Sequence, residues 1–462
     1  MTGSGYAAVS YWLESCGDDL TPRPALDTSL DVDVAILGAG YTGLWTAYYL
    51  QARDPSLRIA IVESEIAGFG ASGRNGAWCT SGFAAGPAAL THRYSRDAAR
   101  AVHHAMVDTV AEVGRVCAAE EIDAHYQRDG EFVLARGRHQ LAALHTFERD
   151  YAAIGESEFW RRLDAREASE FLAVDGIAGA IHQGASACVH PGRLVRGLAR
   201  VVEARGATIY ERTRAVRFTE GARPILHTER GDVRADVVVL AGESFLTELA
   251  QLHRQITPFY SLIVLTEPLG DDQLAAIRWT HRAVVQSTAL AVDYLSRTVD
   301  GRILFGGRGA PYHYGSTISP EFDCHEATHE RLRASLVEWF PSLADVRFDH
   351  AWGGPVGVPR DWMPSMRYDR AAGIATSRGY VGEGVAATNL GGRVLADLIT
   401  DAESEVTSLP MVGHRSRNWE PEPLRWLAAR ALQRGALRID ARAARTGRAP
   451  SGRTLTERLI GH

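Results

Sequence analysis

Three glycines stand at the spacing that a bound dinucleotide requires. Gly38, Gly40 and Gly43 form GxGxxG at the end of the apolar run DVDVAILGAG, and Glu63 lies 20 residues beyond the last of them. Gly38 permits the tight turn, Gly40 lets the backbone approach a pyrophosphate, and Gly43 lets a helix pack closely on the strand before it. The helix begins at Tyr41 and Thr42, so its N-terminal N–H groups and dipole are available to phosphates. A carboxylate at Glu63 takes ribose hydroxyls and disfavours a 2′-phosphate. In a chain with 45 glycines the triplet alone is weak. Strand, turn, helix and acid in register make it a dinucleotide site.

Two further loops favour FAD over NAD. Residues 64–77 contain Ser64 and then IAGFGASGRNGA, in which Gly70, Ala71, Ser72, Asn75 and Gly76 let backbone amides approach a ribityl chain and pyrophosphate. Residues 379–390, GYVGEGVAATNL, form a second glycine-rich loop that leads into a helix. A helix N-terminus there places positive field on a reduced isoalloxazine, which carries negative charge on its pyrimidine side.

Composition excludes other chemistries. All 50 basic residues are arginine. Without lysine there is no internal aldimine, no lysine nucleophile and no phosphate-loop lysine. The net charge of −6 argues against nucleic acid as a partner. Residues 413–462 carry 11 arginines against 4 acids, which leaves the rest of the chain at −13. Five scattered cysteines without CxxC spacing read as reduced thiols. No basic patch and apolar run open the chain, and no apolar run approaches the ~18 residues that span a bilayer, so a cytoplasmic protein is expected. His325, Glu326 and His329 match HExxH, but no third ligand follows and the segment carries the apolar face of a covering helix, so no metal is expected.

The elements that must position these residues alternate between two patterns. Strand–helix–strand over 31–63 implies a parallel pair with a right-handed crossover. Helices are expected at 98–118, 139–153, 191–204, 326–340 and 384–399, and strands at 130–135, 208–210, 237–241 and 373–376. Segments 259–268, 283–287, 290–296 and 302–307 alternate as an antiparallel sheet does. The expected fold is α/β in two interleaved domains. A Rossmann-type domain takes 31–104, 184–255 and 345–400, and an antiparallel-sheet substrate domain takes 105–183 and 256–344. Residues 1–30 read as a polar arm, and 401–462 as an Arg-rich helical extension with an apolar stripe of Leu424, Leu427, Ala428, Ala431 and Leu432.

GFGASGRNG (68–76), RDGEFVLA (128–135), VHPGRLVRGLA (189–199), DYLSRTVDGRILFGGR (293–308) and GYVGEGVAATNLGGR (379–393) resemble the glycine oxidase–sarcosine oxidase group of FAD-dependent amine oxidases, DAO-type flavoproteins. The likeness is greatest to its gamma-glutamylputrescine oxidase branch and runs from about residue 11 to residue 399. It implies oxidation of an amine to an imine, which water hydrolyses. By resemblance Gly38, Gly40, Gly43 and Glu63 carry the ADP part, and Ala71, Ser72, Arg74 and Asn75 lie along the pyrophosphate and toward the flavin. Val216 holds adenine through its backbone, Gly242 follows the strand VVVLA, and Gly382, Gly384 and Val385 face the pyrimidine side. Some sarcosine oxidases attach FAD to a cysteine in the region matched by 353–361. No cysteine stands there, so FAD is expected to be non-covalent. Sarcosine oxidases also use a lysine to activate oxygen, and here that cation has to be another residue, with Arg74 and His350 the first candidates.

For the substrate, an amine wants aromatic walls and a carboxylate. Tyr260, Tyr294, His350, Trp352 and Trp362 are candidate walls, Asp361 or Glu383 a candidate ammonium site, and Arg308 or Arg360 a candidate carboxylate site. Each aromatic taken alone fits core packing better than a substrate wall, Glu383 can equally cap the helix after it, and Arg74 fits a pyrophosphate or structural ion pair better than a catalytic role. The expected function is oxidation of the C–N bond of a primary or secondary amine. The acceptor is oxygen or another electron carrier, and a non-catalytic flavin subunit is the alternative from a different class.

Overall fold

The computed structural model of the chain describes residues 3–450 apart from Thr280, together with residues 452, 454 and 456. A six-stranded sheet is ordered Ser365–Asp369, Ile374–Arg378, Val237–Leu240, Val34–Leu37, Ile59–Val62, Thr208–Tyr210. All its pairings are parallel except that of the edge strand Ser365–Asp369. Its strands are apolar on both faces, because both are covered. Val34, Ile36, Val237 and Val239 pack under the helices Tyr41–Arg53, Arg96–Ala119, Pro191–Ala204 and Gly384–Ile399. Ala35, Ala60, Val62, Val238 and Leu240 turn the other way. They meet Phe218, Leu226 and Val233 of a small sheet made by Leu30–Asp31, Asp232–Arg234, Ile225–Thr228 and Ala215–Thr219.

The second large sheet has eight strands, ordered Phe348–Val358, Thr257–Thr266, Ile303–Arg308, Asp293–Arg297, Val284–Ser287, Glu131–Arg136, Ile177–Gln183, Arg161–Asp164. It is antiparallel but for one junction, where Val284–Ser287 runs parallel to Glu131–Arg136. Leu262, Val264, Leu295 and Phe305 on one face pack against Leu332, Leu336 and Trp339 of the helix Glu326–Trp339. The opposite face looks toward the nucleotide-type sheet.

The fold is the expected mixed α/β with a helical C-terminal region, but two segments fall elsewhere than their expected domain. Phe348–Val358, placed by sequence with the nucleotide domain, pairs along Thr257–Thr266. Residues 105–119 continue a helix whose Val110, Val113 and Val116 lie in the core of the nucleotide-type sheet. The arm is folded: the short helix Tyr11–Glu14 buries Trp12 and Leu13, with Ser10 as its cap. In the extension, the helix Leu424–Thr446 docks through Arg425, Ala429, Ala436 and Ala443, whereas Leu424 and Leu427 are exposed. The apolar stripe therefore faces outward, because small alanines allow the closer approach. No helix among the described residues is long and apolar enough to cross a membrane.

Candidate active site

A long cavity opens between the two large sheets, lined from both. At one end Glu63 caps its strand. Its carboxylate accepts the N–H of Ala39 at 2.9 Å and of Glu65 at 3.0 Å, which fixes it at the cavity wall, and burial raises its pKa. Gly40 begins the helix Tyr41–Arg53 without a side-chain cap. The Tyr41 N–H donates to Ser72 Oγ at 2.9 Å, so the first glycine turn and the GASG loop are tied together along the wall. Gly43 does not line the cavity. A Cβ there would stand 2.0 Å from the Gly38 carbonyl oxygen, so its hydrogen is what lets helix and strand close up.

Farther along, the loop 379–383 enters the helix Gly384–Ile399, again with no side-chain cap. Gly382, Glu383, Gly384 and Val385 line the cavity. A Cβ on Gly382 or Gly384 would have no heavy atom nearer than 3.7 or 3.9 Å, so these backbones border open space. The Glu243 carboxylate, which follows Gly242, accepts the Gly379 N–H at 3.0 Å and anchors the loop. Burial pushes the Glu243 pKa up to about 7.

The far end is roofed by the eight-stranded sheet. Ser261, Ile263, Gln286, Tyr294 and Arg308 line it, with Trp78. Tyr294 meets Trp78 edge-on at 6.2 Å and pairs its hydroxyl with Ser261 Oγ at 2.9 Å. Burial raises the Tyr294 pKa to about 12. Arg308 donates to the Val381 carbonyl at 2.8 Å and lies 5.4 Å over the Trp362 ring. The Glu383 carboxylate has neither a hydrogen bond nor an ion pair among the described residues, and its pKa is raised to about 7 by burial and by nearby Glu131, with Arg308 opposing. Glu131 is itself buried and accepts from Gln286 Nε2 at 2.7 Å, Gln183 at 3.0 Å, Thr80 at 3.1 Å and Ser186 at 3.2 Å.

These residues fit FAD. Two helix N-termini without side-chain caps border one elongated cavity, and their first-turn N–H groups are the donors that a pyrophosphate and an electron-rich ring require. Residues 33–398 match the sequence profile of the family described as FAD dependent oxidoreductase. The chain belongs to that family. This FAD-dependent oxidoreductase is 28% identical over 417 residues to the gamma-glutamylputrescine oxidoreductase of Escherichia coli (strain K12), a match covering 88% of this chain and 94% of the relative. It is 26% identical over 399 residues to the glycine oxidase of Pseudomonas aeruginosa, covering 82% and 97%. The structure of glycine oxidase from Geobacillus kaustophilus superposes with a TM-score of 0.69 at 19% identity, covering 81% of this chain and 96% of that one, a likeness of fold.

Of the residues expected at the cofactor, the oxidoreductase brings Gly38, Gly40, Tyr41, Thr42, Glu63, Ser64, Gly70, Ala71, Ser72, Arg74, Asn75, Gly76, Gly242, Gly382, Gly384 and Val385 to the cavity. Val216 does not reach it. That side chain is exposed, and the wall is formed by Arg214 and Ala215 just before it. Of the substrate candidates Tyr294, Glu383 and Arg308 line the cavity. Arg74 also lines it, but its guanidinium pairs with Asp323 at 2.6 Å, donates to the Phe69 carbonyl at 2.7 Å and stacks on the Phe69 ring.

The others lie elsewhere for identifiable reasons. Tyr260 alternates to the opposite face from Ser261 and packs edge-on against His313 and Phe322. Trp352 and His350 share the cavity's face of the sheet but lie beyond its end, where the N-terminal segment covers them. Trp352 packs on Trp12 and donates to the Arg74 carbonyl at 2.9 Å. His350 pairs with Glu14 at 2.8 Å. Asp361 is engaged by Arg93 at 2.7 Å and His414 at 2.9 Å, which with Ser416 hold its carboxyl below the usual range despite burial. Arg360 pairs with Glu420, and Trp362 stays behind Arg308 in a cluster with Val358, Val381 and Trp419. In the HExxH segment His329 contacts the Trp352 carbonyl at 3.3 Å and Glu326 pairs with Arg333. No group of three potential metal ligands occurs among the described residues.

Sequence reasoning passed over Glu131, Gln286 and Glu243. Their signal was a polar residue in or just after an otherwise apolar strand, as in EFVLA, AVVQS and VVVLAGE.

Proposed function

We propose that this oxidoreductase oxidises the C–N bond of a primary or secondary amine, as the gamma-glutamylputrescine oxidoreductase and glycine oxidase names of its relatives suggest. Gly40, Tyr41, Thr42, Ala71 and Ser72 would hold the pyrophosphate, Glu63 the ribose, Arg214 and Ala215 the adenine side, and Gly382 to Val385 the pyrimidine side of the ring. When bound non-covalently, FAD supplies a two-electron acceptor for hydride from the carbon next to nitrogen. No cysteine lines the cavity.

The observation that carries the reading is Glu383, a carboxylate without a hydrogen-bond or ion-pair partner among the described residues, in the cavity that the aromatic walls Tyr294 and Trp78 also line. An ammonium binds there by charge and by the ring faces. Glu383 titrates at about 7, about three pKa units below an aliphatic ammonium, so its Oε atoms accept the ammonium proton uphill by about 4 kcal/mol and supply the neutral amine for oxidation as a minor species. Glu131 accepts from Gln286 Nε2 and so turns Gln286 Oε1 toward the substrate as a second acceptor. Arg308 binds a substrate carboxylate or the carbonyl of an acyl amide.

The test is anaerobic mixing of the yellow protein with polyamines, gamma-glutamyl amines, N-methyl amino acids and D-amino acids. Bleaching by at least one class is expected, and a protein that none of them bleaches sinks the proposal. A second reading concerns the electron acceptor. The chain lacks lysine, Arg74 is committed to Asp323 and His350 lies outside the cavity, which leaves Arg308 as the cavity cation without a carboxylate partner among the described residues. Slow recolouring in air after bleaching marks a dehydrogenase, and rapid peroxide release marks an oxidase.

A further inference from the structure

Behind the loop 379–383, on the side away from the cofactor cavity, lies a second pocket of about 170 Å³ with walls of unusual charge. Arg367, Arg378 and Arg415 line it, with His414. Of these, Arg415 is paired with Asp369 at 3.1 Å, and His414 with Asp361 at 2.9 Å. Arg367 and Arg378 make no ion pair among the described residues. Among the described residues the Arg378 guanidinium donates to the Gln255 side-chain oxygen alone. Burial and then neighbouring Arg367 lower the pKa of Arg378 to about 10, against the pull of Glu243. Arg367 is lowered by burial and then by Arg415, with Asp369 and Glu220 opposing. Two partly buried guanidiniums facing one small cavity repel each other, and since Glu243, Asp369 and Glu220 act on them without pairing directly, an anion between them adds the contact charge they lack. Ser365, Ser416, Asn418 and Gln255 add hydrogen-bonding groups to the same walls.

We propose that this pocket is a binding site for a dianionic oxyanion of phosphate type, held by Arg367 and Arg378 with Arg415 at its edge. Two unpaired guanidiniums call for two charges, so a dianion is preferred to chloride, and their planar forks match the oxygens of phosphate or sulfate. The ligand is free inorganic phosphate or the phosphoryl group of a larger molecule. The site borders the flavin-side loop, because Arg378 is followed by Gly379, whose N–H is held by Glu243 at the cofactor cavity.

The test is titration calorimetry on the FAD-loaded full-length protein with inorganic phosphate, sulfate, a simple phosphomonoester and chloride at equal ionic strength. Phosphate and sulfate are expected to bind with Kd below about 1 mM and chloride not to bind. Arg367→Gln is expected to weaken phosphate at least tenfold. Arg415→Gln, at a largely exposed position that does not threaten folding, should weaken it several-fold. A phosphomonoester bound at least tenfold more tightly than phosphate supports the site and identifies the esterified source. Phosphate heats no different from chloride in the unaltered protein overturn the proposal. So does phosphate affinity unchanged in both variants.

Discussion

Replacing Glu383 by glutamine tests the substrate end of the cavity with one atom exchanged. The carboxylate lines the cavity, has no partner among the described residues and feels Arg308 on one side and Glu131 on the other. An ammonium bound to it gains a charge-assisted hydrogen bond worth about 1.5–3 kcal/mol. The neutral amide keeps the shape and one acceptor but loses that charge, so the amine Kd should rise by roughly tenfold to 150-fold. The pH dependence carries a second signature. The carboxyl titrates at about 7, and an aliphatic amine stays protonated to about pH 10. Below pH 7 the unaltered protein should therefore lose ammonium affinity by about tenfold per pH unit, while Glu383→Gln stays flat from pH 5.5 to 8.5. Stopped-flow bleaching under nitrogen, followed against amine concentration, gives Kd separately from the limiting rate. The limiting rate should also fall in the variant, because no carboxylate remains to take the ammonium proton. An amine Kd and pH profile unchanged in Glu383→Gln would refute the assignment of Glu383, whatever amine proves to be the substrate.

His350→Ala should leave the limiting rate of bleaching and of reoxidation within about twofold, since His350 is paired with Glu14 beyond the cavity; a loss of tenfold or more in air reoxidation would restore it as the oxygen-activating cation. Glu243 has a native pKa of about 7 against an ordinary 4.5, so the native apoprotein keeps a proton that the unfolded chain releases in that window. Its stabilising contribution is complete below about pH 4.5 and is lost as pH rises through 7, and Glu243→Gln should gain roughly 1–3 kcal/mol on the unaltered apoprotein at pH 8 relative to pH 5, read from urea midpoints. Acid precipitation should leave yellow flavin in the supernatant, and flavin retained in the pellet would contradict non-covalent binding. Asp440→Ala removes the carboxylate that accepts the Leu290 and Ala291 N–H groups at 3.1 and 2.7 Å; hydrogen exchange at those two amides should quicken at least tenfold, with the loop 379–383 unaffected.

The nucleotide half of the site was legible because its chemistry is written in backbone. A glycine turn, a helix start and a strand-end acid are local patterns with fixed offsets, and Gly38, Gly40 and Glu63 lie within one strand–helix–strand unit. The substrate half was less legible because it depends on which face of a strand a side chain takes. Tyr260 and Ser261 are chain neighbours on opposite faces, and no feature of FYSLIVLT tells which face meets the flavin-side loop. Register and neighbours outside the strand decide it. By sequence Phe348–Val358 goes with the nucleotide domain, yet its ten pairings with Thr257–Thr266 make it part of the roof. Glu131 was hidden for a different reason: the four donors that satisfy it come from residues 80, 183, 186 and 286, and no local window contains them.

The two ends of the chain set the limits of that roof. Trp12 and Glu14, from a segment whose composition suggested a polar arm, cover Trp352 and His350 and so end the cavity at Gly354. At the other side the helix Leu424–Thr446 lies beyond the family match, which stops at residue 398. Its Asp440 holds Leu290 and Ala291, and its Gln433 accepts the Tyr312 N–H at 3.1 Å and donates to the Ala310 carbonyl at 2.9 Å. Those loops flank Val292 and Arg308, both at the cavity wall, and the Arg308 N–H donates to the Val292 carbonyl at 3.1 Å. An arginine-rich helix that presents its one acid, among its described residues, to the body does so because paired backbone N–H groups there need an acceptor. The family's shared core thus supplies the cofactor cradle, while contacts from outside it fix the loops beside Arg308. Changes of substrate among such enzymes can arise from these terminal segments without altering a residue of the cradle.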